Sequence, residues 1–211
     1  YARKCSDYGI DIIEQCEVIG VKKKRDKIVG VETTKGNIKA KKVCFVVAGH
    51  SSVLADLAGF RLPIESVALQ ALVSEPIKPI IDCVVMANTV HGYLSQSDKG
   101  ELVIGGGADG YNNYSQRGSF LHIEETVRAL VETFPVISRL RQLRQWGGIV
   151  DMTGDRSPII SKTPVEGLYI NCGWGTGGFK AIPGSGWATA EMIYNEPVSY
   201  THLRAHETTC H

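Results

Sequence analysis

The stretch that most restricts the fold is 171–186, N-C-G-W-G-T-G-G-F-K-A-I-P-G-S-G, where six glycines surround Lys180 directly after the apolar run Leu168-Tyr169-Ile170. A short apolar run of this kind reads as a buried strand end, and 184–195 reads as a helix with Ser185 as the cap at its start. The order is therefore strand, glycine loop, helix. Glycine is required where φ is positive or where a side chain would hold a ligand off the backbone, and a helix start carries free N–H groups and about half a positive charge. Such a loop suits a flat ligand that is, or becomes, anionic.

Gly173, Gly175 and Gly178 satisfy G-x-G-x-x-G, the pattern of a dinucleotide-binding turn. The spacing argues against that reading: the helix would have to start at the third glycine, 179–183 intervenes, and neither a second strand–helix unit nor a strand-end acid follows. Close packing of a helix on a sheet is the other use of these glycines, and it stays open on spacing alone.

With 43% apolar and 21% charged residues, the chain has the make-up of an ordinary globular protein. A formal net charge of +1 supplies no broad basic field, so neither nucleic acid nor an anionic membrane is expected as a partner. Lys22-Lys23-Lys24-Arg25, between two strand-like runs, reads as a solvated hairpin tip; Arg139, Arg141 and Arg144 form a second basic cluster. No apolar run approaches the roughly 20 residues of a membrane helix, and no charged-then-apolar leader opens the sequence. The six cysteines show no C-x-x-C spacing and are too sparse for a disulfide scaffold, which points to reduced thiols and a cytoplasmic location.

The first residues fit a helix ending near Gly9. Strand-like runs follow at 18–22, 28–34, 38–40 and 43–48. Ala48-Gly49, at the end of the last, lies where open α/β sheets place ligands, although a plain strand-to-helix turn would read the same way. From about Leu62 longer alternating runs, 68–74, 83–88, 93–96 and 102–106, indicate an antiparallel sheet. Helix-like 123–134 and 138–145 follow, then Trp146-Gly147-Gly148-Ile149-Val150. Gly105-Gly106-Gly107 lacks the Lys-Ser/Thr of a phosphate loop and reads as relief of crowding in a strand, or as backbone passing near a ligand. No Ser-His-Asp or Cys-His arrangement stands in a motif context, and neither His50 nor His91 has metal-ligand spacing.

The string G-W-G-T-G-G-F-K, with P-G-S-G after it, resembles the C-terminal flavin-facing loop of the sarcosine oxidase beta subunits, a branch of the D-amino-acid-oxidase-like FAD-dependent oxidoreductases. Further segments agree in order: 1–18 (Y-A-R-K-C-S-D-Y-G-I-D-I-I-E-Q-C-E-V), 46–59 (V-V-A-G-H-S-S-V-L-A-D-L-A-G), 146–151 (W-G-G-I-V-D) and 157–164 (S-P-I-I-S-K-T-P). The likeness runs from Tyr1 to Pro197. Beyond it, V-S-Y-T-H-L-R-A-H-E-T is similar to one reading frame of a transposase adapter used in sequencing libraries, and 198–211 is set aside as an expected artefactual tail. The family's dinucleotide-binding front, with its own G-x-G-x-x-G, is expected to be missing ahead of Tyr1.

The resemblance implies an α/β plus α+β fold: an incomplete FAD-binding Rossmann-like domain in two parts, 1–61 and 146–197, with an inserted antiparallel-sheet substrate domain at 62–145. It implies that Val43-Cys44-Phe45-Val46-Val47 is a central, buried strand. FAD would be held by Val18, through its backbone at the adenine, and by Ala48, Gly49, Gly175, Gly177, Gly178 and Lys180. Lys180 would also meet the substrate carboxylate. Tyr93 is expected to wall the substrate side of the flavin or to offer its hydroxyl to a carboxylate, core packing being the alternative. Lys180 and Tyr93 are thus the catalytic candidates, with His50 and His91 behind them. Arg144 is a candidate for the phosphate of a second, covalent flavin, FMN, at the boundary with another subunit, the attachment histidine lying outside this sequence. The implied activity is FAD-dependent oxidation of sarcosine, or a similar N-methyl amino acid, to an imine. In a complex with the other sarcosine oxidase subunits this would yield glycine, a one-carbon unit and hydrogen peroxide. A related dehydrogenase of dimethylglycine, proline or glycine, and a non-catalytic cofactor-binding or assembly subunit, are the other readings. The chain by itself is expected to hold no flavin and to be inactive.

Overall fold

In the computed structural model, which describes residues 1–87 and 92–195, the elements run as follows. A short helix α1 (Ala2–Asp7) precedes a meander of β1 (Val18–Lys24), β2 (Lys27–Thr33) and β3 (Gly36–Lys39). Then come β4 (Val43–Phe45), α2 (Ser51–Ala58), β5 (Ile64–Pro76), β6 (Val85–Ala87), β7 (Gly92–Gln96) and β8 (Glu101–Ala108). The chain closes with α3 (Phe120–Thr133), β9 (Gln142–Thr153), β10 (Ile159–Lys162), β11 (Leu168–Cys172) and α4 (Gly178–Asn195). The strands form three sheets, ordered β1-β2-β3, β10-β11-β4 and β6-β7-β8-β5-β9.

All five residues of β11 are buried, because the small sheet is covered on both faces. Leu168, Ile170 and Cys172 join Ile28, Phe45, Leu54 and Ala58 in a core against the meander and α2. Tyr169 points the other way, packing with Ile160 and Met192 under α4. β4 pairs β11 in parallel, as a returning Rossmann-like strand does. The expectation that 43–47 is central and buried fails, however. Among the described residues β4 is three residues long, pairs on one side only, and leaves Val46 62% exposed. With no second neighbour among the described residues, no ladder on that side extends it.

The five-stranded antiparallel sheet uses its two faces differently. Leu94, Ile104 and Leu72 stand side by side on three strands and pack against Ile123 and Leu130 of α3. The next row, with the opposite sense, crosses all five strands as Met86, Tyr93, Gly105, Ala71 and Trp146. Since side chains alternate across a strand, that row lies on the face away from α3.

Two helix expectations are corrected. Residues 138–145 are not helical: a 3-10 turn at Pro135–Arg139 leads into β9, which begins at Gln142. β5 is thirteen residues long and offers an open ladder edge, and pairing Val73 with Arg144 and Leu72 with Gln145 outweighs the helix preference of Leu, Arg and Gln. β9 therefore runs without a break across the expected domain boundary at 145/146. The second correction concerns α4, which starts at Gly178 rather than Gly184 and carries Pro183 inside it. A proline there removes one bond, to the carbonyl of Phe179, a residue 90% exposed to water that can replace it. Ser185 is consequently not a cap; its hydroxyl donates to the Ile182 carbonyl at 3.3 Å within the helix. The objection that no helix starts at the third glycine of G-x-G-x-x-G thereby falls. Residues 196–211, which hold the expected tail, and His91 lie outside the described residues.

Candidate functional site

The glycine loop leaves β11 at Gly173 and turns twice, with φ of +75° at Gly173 and +49° at Gly175. A 3-10 turn at Gly175–Gly177 delivers the chain into α4 at Gly178. Because α4 starts at Gly178 rather than Gly184, its free N–H groups and positive pole lie beside the loop. The loop is tied at its base. The Trp174 indole donates to Asn171 Oδ1 at 2.5 Å, and Asn171 Nδ2 donates to Thr189 Oγ1 of α4 at 2.8 Å.

The loop faces the open side of the five-stranded sheet. A cavity of about 330 Å³ there is lined by Leu69, Met86, Tyr93, Gly106 and, from the loop, Thr176. Tyr93 is half-buried, and burial pushes its hydroxyl above the ordinary tyrosine value. The phenol is therefore a proton-bearing donor across the neutral range. Its position depends on Gly105 in the neighbouring strand, where a methyl would stand 2.4 Å from the Tyr93 hydroxyl oxygen. The glycine relieves crowding in the strand by giving the ring its place.

Lys180 sits in the first turn of α4, exposed, and its amine arches back over the loop: a methyl on Gly177 would meet only Lys180 Nζ, at 3.9 Å. Gly148, beside Leu69 on β9, has nothing within 4 Å of where its Cβ would be. At Gly177 and Gly148 the backbone thus borders free space.

The other candidates are placed elsewhere. Ala48 and buried Gly49 form a 3-10 turn after β4, with Ala48 at φ +46°. A methyl on Gly49 would stand 2.3 Å from Ile149 Cγ2 and 2.8 Å from the Ile149 carbonyl, so packing of this turn on β9 is enough to demand glycine. Val18 pairs with Thr33 and leans on the core around Ile28. Arg144 is exposed on β9, opposite Val73, one row from Trp146 on the open face. His50 contacts the ring of Tyr114, centroids 5.4 Å apart. None of these five residues lines the Tyr93 cavity, and neither do Gly175, Gly177, Gly178 or Lys180; Thr176 alone represents the loop there. A second cavity, about 420 Å³, lies between 60–63 and 153–164 and includes none of the sequence candidates. No helix among the described residues is long and apolar enough to cross a membrane.

Sequence reasoning missed Thr176, Met86 and Leu69, whose types carry no chemical signal. It also passed over Asp151, quoted only as the end of W-G-G-I-V-D. A lone acid ending an apolar strand run was a usable sign: Asp151 is 2% exposed, and its Oδ2 accepts the Gly173 N–H at 2.5 Å.

The profile of the family described as FAD dependent oxidoreductase matches residues 1–192. Among curated proteins, sarcosine oxidase subunit beta of Rhodobacter capsulatus is 73% identical over 193 residues, covering 92% of this chain and 47% of that protein. Sarcosine oxidase subunit beta of Arthrobacter sp. is 58% identical over 196 residues, covering 93% and 48%. The chain thus spans about half the length of the curated relatives it matches. Among solved structures, L-proline dehydrogenase from P. horikoshii superposes with a TM-score of 0.85 at 29% identity, covering 92% of this chain and 54% of that one. Glycine oxidase from Geobacillus kaustophilus gives 0.81 at 20% identity, covering 100% and 56%, a likeness of fold.

Proposed function

This chain belongs to the FAD dependent oxidoreductase family, and from that premise we propose that it is the C-terminal half of a sarcosine oxidase beta subunit, oxidising sarcosine or a similar N-methyl amino acid. The observation that supports this most is the joint one: 73% identity to a protein of that name, and a cavity in which the Tyr93 sheet face meets Thr176 of the G-W-G-T-G-G-F-K loop.

The residues present fit FAD. The backbone at Gly177 and Gly148 borders free space that a flat ring would fill. The start of α4 and the Lys180 amine put positive charge beside it, as a group that gains negative charge requires. Gly175, Gly177, Gly178 and Lys180 would hold the ring, and Ala48, Gly49 and Val18 the remainder of the cofactor. FAD, when bound, supplies the hydride acceptor for the C–N bond being oxidised. The protein's part is placement. Lys180 would pair with the amino-acid carboxylate, Tyr93 would donate a hydrogen bond from its hydroxyl to the same group, and the wall of Leu69, Met86 and Ala71 would keep water off the N-methyl carbon.

The division into 1–61, 62–145 and 146–197 belongs to the same proposal, with β9 as the strand shared by the two units. So do covalent FMN near Arg144, assembly with further subunits, a cytoplasmic location, and release of glycine, a one-carbon unit and hydrogen peroxide. The likeness to L-proline dehydrogenase supports a second reading, oxidation of a cyclic secondary amino acid at the same site. Anaerobic stopped-flow reduction of the full-length, FAD-loaded protein separates the two. Sarcosine is expected to bleach the flavin faster than proline, dimethylglycine or glycine, and Lys180→Met to slow that reduction by about 100-fold or more. Unchanged kinetics in Lys180→Met would remove Lys180 from the site, and faster reduction by proline would favour the second reading.

A further inference from the structure

β9 presents Arg144 and Trp146 on the open sheet face near one end and grips the glycine loop with the other. Three consecutive residues make that grip. Asp151 accepts the Gly173 N–H at 2.5 Å; a Cβ on Gly175 would stand 2.7 Å from Met152 Sδ; one on Gly173 would stand 2.8 Å from Thr153 Cγ2. The contacts fall on Gly173 and Gly175, the two positive-φ residues at which the loop turns. Asn171 and Trp174 tie the loop to α4, whereas Asp151 supplies a side-chain hydrogen bond to the sheet.

The strand itself has no use for an acid here. Opposite Ser66 in the β5–β9 ladder, any β-forming residue would pair equally well through its backbone. Putting a carboxylate where it is 2% exposed is costly unless its oxygens are satisfied. A charge-assisted bond to a backbone N–H is shorter than a neutral one and about twice as strong. What the carboxylate holds therefore explains its presence. Cys172, next to Gly173, feels it as well: after burial, the Asp151 charge is the next influence raising that thiol.

We propose that Asp151 is a positioning residue: by fixing the Gly173 amide to the end of β9, it sets where Thr176 and Lys180 stand relative to Tyr93. Cofactor loop and substrate face are thereby held in register by one continuous strand. The inference rests on the flavin-oxidation reading for its consequence in catalysis, but the loop geometry has a readout of its own.

The test uses the full-length, FAD-loaded protein and its Asp151→Ala and Asp151→Asn variants, compared by hydrogen–deuterium exchange and by anaerobic flavin reduction at saturating sarcosine. Exchange within 171–178 is expected to quicken about tenfold or more in Asp151→Ala and by less in Asp151→Asn, which keeps an acceptor oxygen, while 120–133 in α3 is unchanged. Reduction is expected to slow in the same order, by about 100-fold and about tenfold, the scale of a 1 Å misplacement, with KM moving less. A purely structural role would lower thermal stability and leave exchange at 171–178 and the reduction rate of the folded protein at parental values, which would overturn the proposal. Faster exchange with an unchanged reduction rate would overturn it equally. Should Asp151→Ala fail to fold, Asp151→Asn decides on the same two readouts. A parent protein that sarcosine does not reduce would overturn the substrate assignment instead; the exchange comparison and the affinity for added FAD would then judge Asp151, unaltered values for both counting against it.

Discussion

Cys172 and Cys44 lie in the covered small sheet, and burial pushes their thiols up from 9.0 to about 12 and about 11. In the unfolded chain both ionise near 9.0, so above that pH unfolding releases protons that the folded protein retains. Stability from these groups is complete below about pH 9 and is lost as pH rises toward about 11 to 12. Denaturation midpoints are expected to fall between pH 8 and pH 10.5, and equal midpoints would mean that the thiols ionise in place. At pH 8 a thiol reagent is expected to modify exposed Cys83 and to spare Cys172. Gly105 carries a different prediction. Gly105→Ala would drive the Tyr93 ring off its seat, at a cost of about 1–3 kcal/mol in stability, and in the full-length enzyme KM for the amine is expected to rise more than kcat falls. Steady-state kinetics with a parallel melting curve check both.

α3 is the element that fixes which face of the five-stranded sheet stays open. Leu130, 1% exposed, sits over Gly92, where even a methyl would approach within 3.2 Å. Leu130→Ala is expected to cost about 2–5 kcal/mol by chemical denaturation, without altering the fold of the loop. The elements legible in the sequence included those with a clean period, α3 and the alternating strands β5, β7 and β8, together with β11, whose first three residues are apolar. Those misread were set by partners that a local pattern does not show. Arg144 and Gln145 are in a strand because β5 has an edge to offer, and 178–183 is helical although Pro183 takes away the bond to Phe179, a residue open to water. At the site, the glycine string and Lys180 were visible as chemistry. Tyr93 was visible only as an alternating aromatic, and its companions Thr176, Leu69 and Met86 could be found only through the pairing of five strands.

Taken as a whole, the molecule shows much apolar surface for its size. Phe179, Trp187 and Tyr194 on α4 are 90%, 69% and 85% exposed, and Ile10, Ile12, Ile13 and Val46 are each more than half exposed. Surfaces of this kind bind partners or aggregate. The 211-residue chain alone is expected to self-associate in size-exclusion chromatography, to brighten an apolar dye, and to retain no FAD, whereas the full-length protein does none of the first two and retains it. A monodisperse, dye-silent 211-residue chain would show that these faces need no cover. The parallel pairing of β4 with β11 adds a consequence in time. Residues around 28 and 45 share one core with residues around 168, and the Lys27–Glu166 contact bridges 139 positions. The entropy of closing so long a loop grows only slowly with its length, but contacts of this range form late. On a ribosome, β4 emerges with its partner not yet translated, and the whole five-stranded sheet must be synthesised before β11 arrives. For that interval Ile28 and Phe45 have Leu54 and Ala58 beside them but not the β11 side of their core, Leu168, Ile170 and Cys172, which makes the nascent chain, rather than the finished protein, the form most in need of a chaperone.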